Sequence, residues 1–199
     1  MSHRPAHTDW IERAASAHQE TVARFIREQA EQLASIAEWL AAALAAGSTA
    51  LFFGNGGSAA DAQHLAAELV NRFRKERRAL RALALTTDTS ILTSVANDYE
   101  YRRVFARQIE ALGRAGDVAV GITTSGASPS VLEGFEAARR GGLHTLGILG
   151  RDGGAARALC DRALVVPGND TARIQETHLL IGHLLCEWVD RRFTEAQDR

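Results

Sequence analysis

The chain has 199 residues, 46% of them hydrophobic and 24% charged, with 23 basic side chains against 24 acidic ones and a formal net charge of −1. This length accommodates one domain with a substantial core, while the balanced charge provides no basic field to hold nucleic acid or an anionic membrane. With 3 Pro, and Gly gathered in a few loops, the sequence falls outside the disordered and fibrous classes.

The opening MSHRPAHTDW is polar and lacks the apolar segment of a secretory leader. Asp9 with Glu12 three residues on reads as a capping-box variant. From there Ile11, Ala15, Val22, Ile26, Leu33, Ala37, Leu40 and Leu44 recur at steps of three, four or seven until Gly47. The pattern predicts one long helix, or two that meet near Arg27–Gln29, with an apolar stripe that serves as core or as a subunit contact. Its most apolar part, Leu40 to Ala46, is far short of the ~20 residues that span a bilayer. Residues 1–47 are therefore read as a helical arm for oligomerisation and residues 48–199 as a single α/β domain.

Thr49–Phe53 predicts a strand entering Gly54-Asn-Gly-Gly-Ser58, followed by an amphipathic helix from Ser58 to about Phe73. Leu80–Leu85 is a second strand, followed by Thr-Thr-Asp and helices over Ile91–Ala96 and Arg102–Leu112. Asp117–Thr123 is a third; it opens into Thr123-Thr-Ser-Gly-Ala-Ser128 and a helix to Arg140. Leu143–Leu149 is a fourth, then GRDGG and a short helix to Cys160. Ala163–Val166 is a fifth, before a last helix from Ala172 to Phe193. Continuous apolar strands alternating with helices imply a parallel sheet covered on both faces, with ligands outside the carboxyl ends of the strands. Cys160 and Cys186 stand alone without a CxxC pair, as reduced thiols of a cytosolic protein do.

Two of the strand-to-helix turns suit an anion. Glycines at 54, 56 and 57 let backbone N–H groups approach it, at the positive end of the helix that follows. The second turn is crowded with hydroxyls that can donate to phosphate oxygens, with Pro129 at a first helical turn. A P-loop is excluded because no G-x-x-x-x-G-K-[ST] occurs. Gly54-x-Gly56-x-x-Ala59 satisfies a relaxed dinucleotide fingerprint, but the next strand-end acid, Asp88, lies 34 positions after Gly54, not about 20.

Asp61, His64 and Glu68 share one face of the helix that starts at the glycine loop. His64 and Glu68, at i and i+4, have the spacing of two metal ligands on a helix, which is equally that of a solvated face with one satisfied histidine. The last helix adds Gln175, Glu176, His178 and His183. Glu176 and His183 align best, with Gln175 turned about 80° from His183. Both histidines lie among leucines, where a core histidine is the ordinary outcome. Periodicity thus ends at an α/β domain with a sugar-phosphate-sized anion site and a His/Glu cluster, without a reaction.

The segments GNGGSAADAQHLAAEL at 54–69, ALTTDTSILTSVANDYEYRRVFARQ at 84–108 and GDVAVGITTSGASPSVL at 116–132 resemble the phosphoheptose isomerases of the sugar isomerase (SIS) superfamily. GRDGG at 150–154 and RIQETHLLIGHLLC at 173–186 extend the resemblance to the C-terminus. The resemblance implies a three-layer α/β/α sandwich on a five-stranded parallel sheet, a cytoplasmic homotetramer, and conversion of D-sedoheptulose 7-phosphate to D-glycero-D-manno-heptose 7-phosphate. It implies one zinc per subunit on His64, Glu68, Gln175 and His183, preferring Gln175 to the better-aligned Glu176. Implied substrate contacts are Asn55, Gly56, Gly57, Ser58, Asp61, Glu68, Asn97, Asp98, Thr123, Thr124, Ser125, Ser128 and Gln175.

Moving a proton between C1 and C2 through an enediol needs a base beside the carbons, an acid at the oxygens and an anchor for the phosphate. Glu68 is the expected base and His183 its acid/base partner; metal ligation by Glu68 competes with its basicity. The alternative is a non-catalytic SIS protein resembling the DnaA initiator-associating protein, which lacks the equivalents of Glu68 and His183. A hexosamine-phosphate enzyme is a further alternative, opposed by the Asn97-Asp98 pair. One departure from the family is RKERRALRAL, where the usual prolines after the first core helix are replaced.

Overall fold

A computed structural model describes residues 8–195. Its first element, α1 (Asp9–Ala45), is one uninterrupted helix of 37 residues, so no second helix begins at Arg27–Gln29. The N-cap is Thr8, one residue before the expected Asp9; Asp9 and Glu12 occupy the first turn, where the helix dipole favours acids. Burial divides the apolar stripe. Phe25, Leu33, Ile36, Ala37, Leu40, Ala41 and Leu44 enter the core, whereas Trp10 and Ile11 remain 63% and 50% exposed.

Five strands follow the expected order: β1 (Ala50–Gly54), β2 (Ala82–Ala84), β3 (Val118–Thr123), β4 (His144–Gly150) and β5 (Arg162–Val166). They are interleaved with α2 (Gly57–Val70), α3 (Thr89–Asp98), α4 (Val104–Leu112), α5 (Pro129–Arg140) and α6 (Thr171–Glu195). The sheet is wholly parallel in the order β2-β1-β3-β4-β5. Period-two alternation sends Ala50 and Phe52 of β1 into the core shared with α1, α2 and α6. Leu51 and Phe53 enter the opposite core with α4 and α5, where the Phe53 ring lies 5.5 Å from Phe105 and 5.3 Å from Phe135 between centroids. The three-layer α/β/α expectation holds.

Strand order reverses between β1 and β3, the topological switch point of an open α/β sheet. Gly54 pairs with Ile122, so the glycine loop after β1 and the hydroxyl-rich loop after β3 leave the sheet side by side. This register places the site.

Local boundaries differ from expectation where polar anchors replace periodicity. β2 is three residues long, and Ala155–Leu159 forms a 3-10 turn. α2 ends at Val70, leaving Phe73 outside the helix. The proline-free loop beyond it is fixed by Arg77, whose side chain is fully buried and pairs with Asp190 of α6 at 2.8 Å. Its remaining donors reach the carbonyls of Glu68, Leu69 and Arg78. Asp190 also accepts the N–H groups of Arg74 and Lys75. Burial works to raise its carboxyl, but these donors and the guanidinium outweigh it and hold Asp190 below the ordinary carboxylate value.

The edge strand β5 is covered rather than exposed. The Gln29 amide donates to the Val165 carbonyl and accepts from the Val165 N–H, and Gln32 donates to the Ala163 carbonyl at 2.6 Å. Cys160 and Cys186 are free, and burial pushes each thiol up to about 12. Among the described residues no helix is long and apolar enough to cross a membrane.

Candidate active site

The loop after β1 begins with Asn55, whose side chain is held from two sides. Its Nδ2 donates to Ser130 Oγ at 2.9 Å, and the Tyr101 hydroxyl donates to its Oδ1 at 2.8 Å. Gly57 opens α2 directly beneath α6: a Cβ there would stand 1.8 Å from Gln175 Nε2. Only glycine lets the Gln175 amide lie against the loop. Gln175 also lies near Asp61, one turn into α2, whose Oδ2 is buried without a hydrogen-bond partner. Burial raises the Asp61 carboxyl, with the nearby Gln175 amide and His64 working against it.

After β3 the hydroxyls gather. Thr123 Oγ1 lies 3.4 Å from Ser125 Oγ and 3.5 Å from Ser128 Oγ. Gly126 N–H donates to Thr123 Oγ1, and Ala127 N–H to Ser125 Oγ. Ser128 is the N-cap of α5 yet its hydroxyl makes no cap bond, which leaves hydroxyl and helix terminus facing the same loop. Gly126, at φ +65°, approaches the GRDGG turn so closely that a Cβ would meet Gly153 O at 2.1 Å. Ala156 N–H donates to Gly126 O. GRDGG is thus the wall that shapes the hydroxyl loop.

His64 of α2 and His183 of α6 meet through their Nε2 atoms at 2.8 Å, and Glu68 Oε1 lies 3.5 Å from His64 Nε2. Helix α6 crosses close to α2 because Gly182 leaves room for Leu65. Phe73 stacks on His183, centroids 5.2 Å apart and planes at 26°, and the Arg74 guanidinium covers the Phe73 ring at 4.9 Å. Burial first, then His64 and Arg74, lower the His183 pKa against the pull of Glu68. A neutral imidazole offers one donor and one acceptor, the requirement for passing a proton between two oxygens.

The expected residues therefore fall into four groups. Asn55, Gly56, Gly57, Ser58, Asp61 and Gln175 share the glycine loop and the helices that flank it; Thr123, Thr124, Ser125 and Ser128 line the neighbouring loop; His64, Glu68 and His183 cluster farther along α2. Asn97 and Asp98 lie exposed at the end of α3, bonded to each other at 2.9 Å. Gln175 is found with Gly57 and Asp61 rather than bonded to the two histidines.

Among the described residues no group of three or more His, Cys, Asp or Glu side chains is gathered as a metal set. Glu176, favoured by helical alignment alone, turns to α1 instead, pairing with His18 at 2.8 Å and Arg173 at 2.6 Å. His178 is a core residue lowered to about 4 by burial. Its ring lies near the Leu149 backbone without closing a hydrogen bond. Sequence reading assigned no role to Tyr101, Ser130, Phe73 or Arg74. All four follow short irregular segments, where periodicity carries no facing information. A groove of about 710 Å³ between α1 and β5, lined by residues including Arg24, Gln29 and Arg151, contains none of the site residues.

The SIS domain family model matches residues 15–150. A phosphoheptose isomerase of Paramagnetospirillum magneticum is 56% identical over 181 residues, covering 91% of this chain and 94% of the relative. Among solved structures, the phosphoheptose isomerase of Francisella tularensis superposes with a TM-score of 0.90 at 34% identity, covering 94% of this chain and all of its own. That of Neisseria gonorrhoeae gives 0.80 at 43% identity, covering 91% and 99%.

Proposed function

The chain belongs to the phosphoheptose isomerases of the SIS domain family, and on that premise we propose that it converts D-sedoheptulose 7-phosphate to D-glycero-D-manno-heptose 7-phosphate. The observation that carries this reading is the meeting of α2 and α6 at His64, Glu68 and His183, beside two anion-type loops at the switch point.

The phosphate is held by the hydroxyls of Thr123, Thr124, Ser125 and Ser128 at the α5 terminus, where the dipole favours an anion. Asn55, Gly56, Gly57, Ser58, Asp61, Asn97, Asp98 and Gln175 take up the sugar. Glu68 removes the C1 proton and returns one to C2, while neutral His183 hands a proton to the C2 oxygen and accepts one from the C1 oxygen. Such acid/base catalysis contributes about 10²–10⁴-fold.

His64, Glu68 and His183, with Gln175 as a fourth donor, would hold one zinc per subunit. The imidazole nitrogens that face each other are suitable ligand atoms, and their chemistry with a carboxylate suits zinc. A bound zinc supplies Lewis-acid polarisation of the substrate carbonyl. Ligation lowers the basicity of Glu68, so the two roles compete. The working unit is a cytoplasmic homotetramer; exposed Trp10 and Ile11 on α1 support a contact between copies.

Incubation with sedoheptulose 7-phosphate, followed by NMR for the aldose, tests the reading. Conversion is expected. Binding of the phosphate without conversion would give the site to the non-catalytic alternative.

A further inference from the structure

We propose that Tyr101 is a positioning residue for substrate binding and acts through Asn55. Tyr101 opens the 3-10 turn Tyr101–Arg103, which follows α3. Its hydroxyl crosses to the glycine loop and donates to Asn55 Oδ1 at 2.8 Å, while Asn55 Nδ2 donates to Ser130 Oγ at 2.9 Å. Ser130 is 2% exposed in the first turn of α5, so one end of this relay is anchored in the core. An asparagine side chain has two free torsions. Bonds at both ends of the amide fix both of them, and a second N–H remains to meet an oxygen lone pair of the sugar or its phosphate. The Asn55 carbonyl accepts the Ser58 N–H at 3.0 Å, so its backbone is fixed as well. With both bonds in place, Asn55 binds without first losing side-chain freedom.

The same bond ties the segment that follows Asn97 and Asp98 to the loop after β1. Because Tyr101 is 56% exposed, loss of its hydroxyl leaves no cavity and barely touches the fold. The inference rests on the proposed isomerase reading, in which Asn55 contacts the substrate.

Tyr101→Phe, Asn55→Ala and the double variant test it by steady-state kinetics on sedoheptulose 7-phosphate, with thermal unfolding alongside. Tyr101→Phe is expected to raise KM about three- to tenfold, the range of one modest hydrogen bond, with kcat within about twofold and the unfolding midpoint unchanged. In the Asn55→Ala background the same change should leave KM unaltered, because coupled residues share one effect. Asn55→Ser replaces that background if Asn55→Ala does not fold. An unaltered KM in Tyr101→Phe, an equal rise in the Asn55 background, or a loss confined to kcat overturns the proposal. If the wild type does not turn over, the isomerase reading falls. Calorimetric binding of sedoheptulose 7-phosphate to the same variants then decides the role of Tyr101 on the same criteria.

Discussion

Gly57→Ala separates what the glycine loop does for the fold from what it does for the site. The new methyl would begin 1.8 Å from Gln175 Nε2 and has ordinary contact only from 3.4 Å. The amide must therefore retreat by about 1.6 Å, leaving its place beside Asp61. The obstacle is the end of a flexible side chain rather than backbone, so the chain yields without unfolding. Displacing the amide from its polar surroundings costs about 1 kcal/mol; alanine at a helical position returns about 0.5–1 kcal/mol relative to glycine. Stability is expected to change by less than about 1 kcal/mol. Catalysis is not expected to escape, because a displacement of this order in a substrate-positioning group costs up to about 10²-fold. Paired measurements of kcat/KM and the thermal midpoint are the assay. An active Gly57→Ala enzyme with unchanged kcat/KM would refute the placement of Gln175 in the site. A variant that unfolds would refute its treatment as a flexible neighbour.

Two further perturbations address the anchors. Arg77→Met leaves Asp190 buried without its cation and is expected to cost about 3–5 kcal/mol, lowering the melting temperature by about 6–20 °C; a shift below 2 °C would contradict the buried pair. Because the Asp190 pKa is depressed in the fold, its contribution is present above the ordinary value of 3.8 and is lost as pH falls through the lower native value. In Arg77→Met that acid-side loss should flatten, so the destabilisation is full above about 3.8 and shrinks as pH falls below it. His183→Ala is expected to lose at least about 10²-fold in kcat and, by elemental analysis, its zinc; unchanged metal content would remove His183 from the ligand set.

How far this could be read from the residues varied with the kind of signal. The five strands and the helices between them were legible because parallel strands are continuously apolar and their helices periodic. Adjacency of the two loops was not, because apolar runs mark the strands but not their order in the sheet, which sets β1 beside β3. The His64–Glu68 face was visible as an i, i+4 pair. The choice between Gln175 and Glu176 was not, because helical angles measure facing from His183 and not from α1, which claims Glu176 through His18 and Arg173. The N-terminal stripe was read as one object, but Leu33, Ala37, Leu40 and Leu44 belong to the core while Ile11 and Ile26 face outward. Arg77 could not be foreseen as an organiser. In a run of basic residues nothing local says which guanidinium will be buried.

Glu68 is the residue on which the isomerase reading depends most. Glu68→Gln removes the base and keeps the side-chain shape, and it can be compared with wild type for conversion of sedoheptulose 7-phosphate and for binding of inorganic phosphate. Conversion by the wild type, a loss of about 10²–10⁴-fold in the variant and equal phosphate affinity in both are the predicted outcome. Full turnover by Glu68→Gln would contradict it.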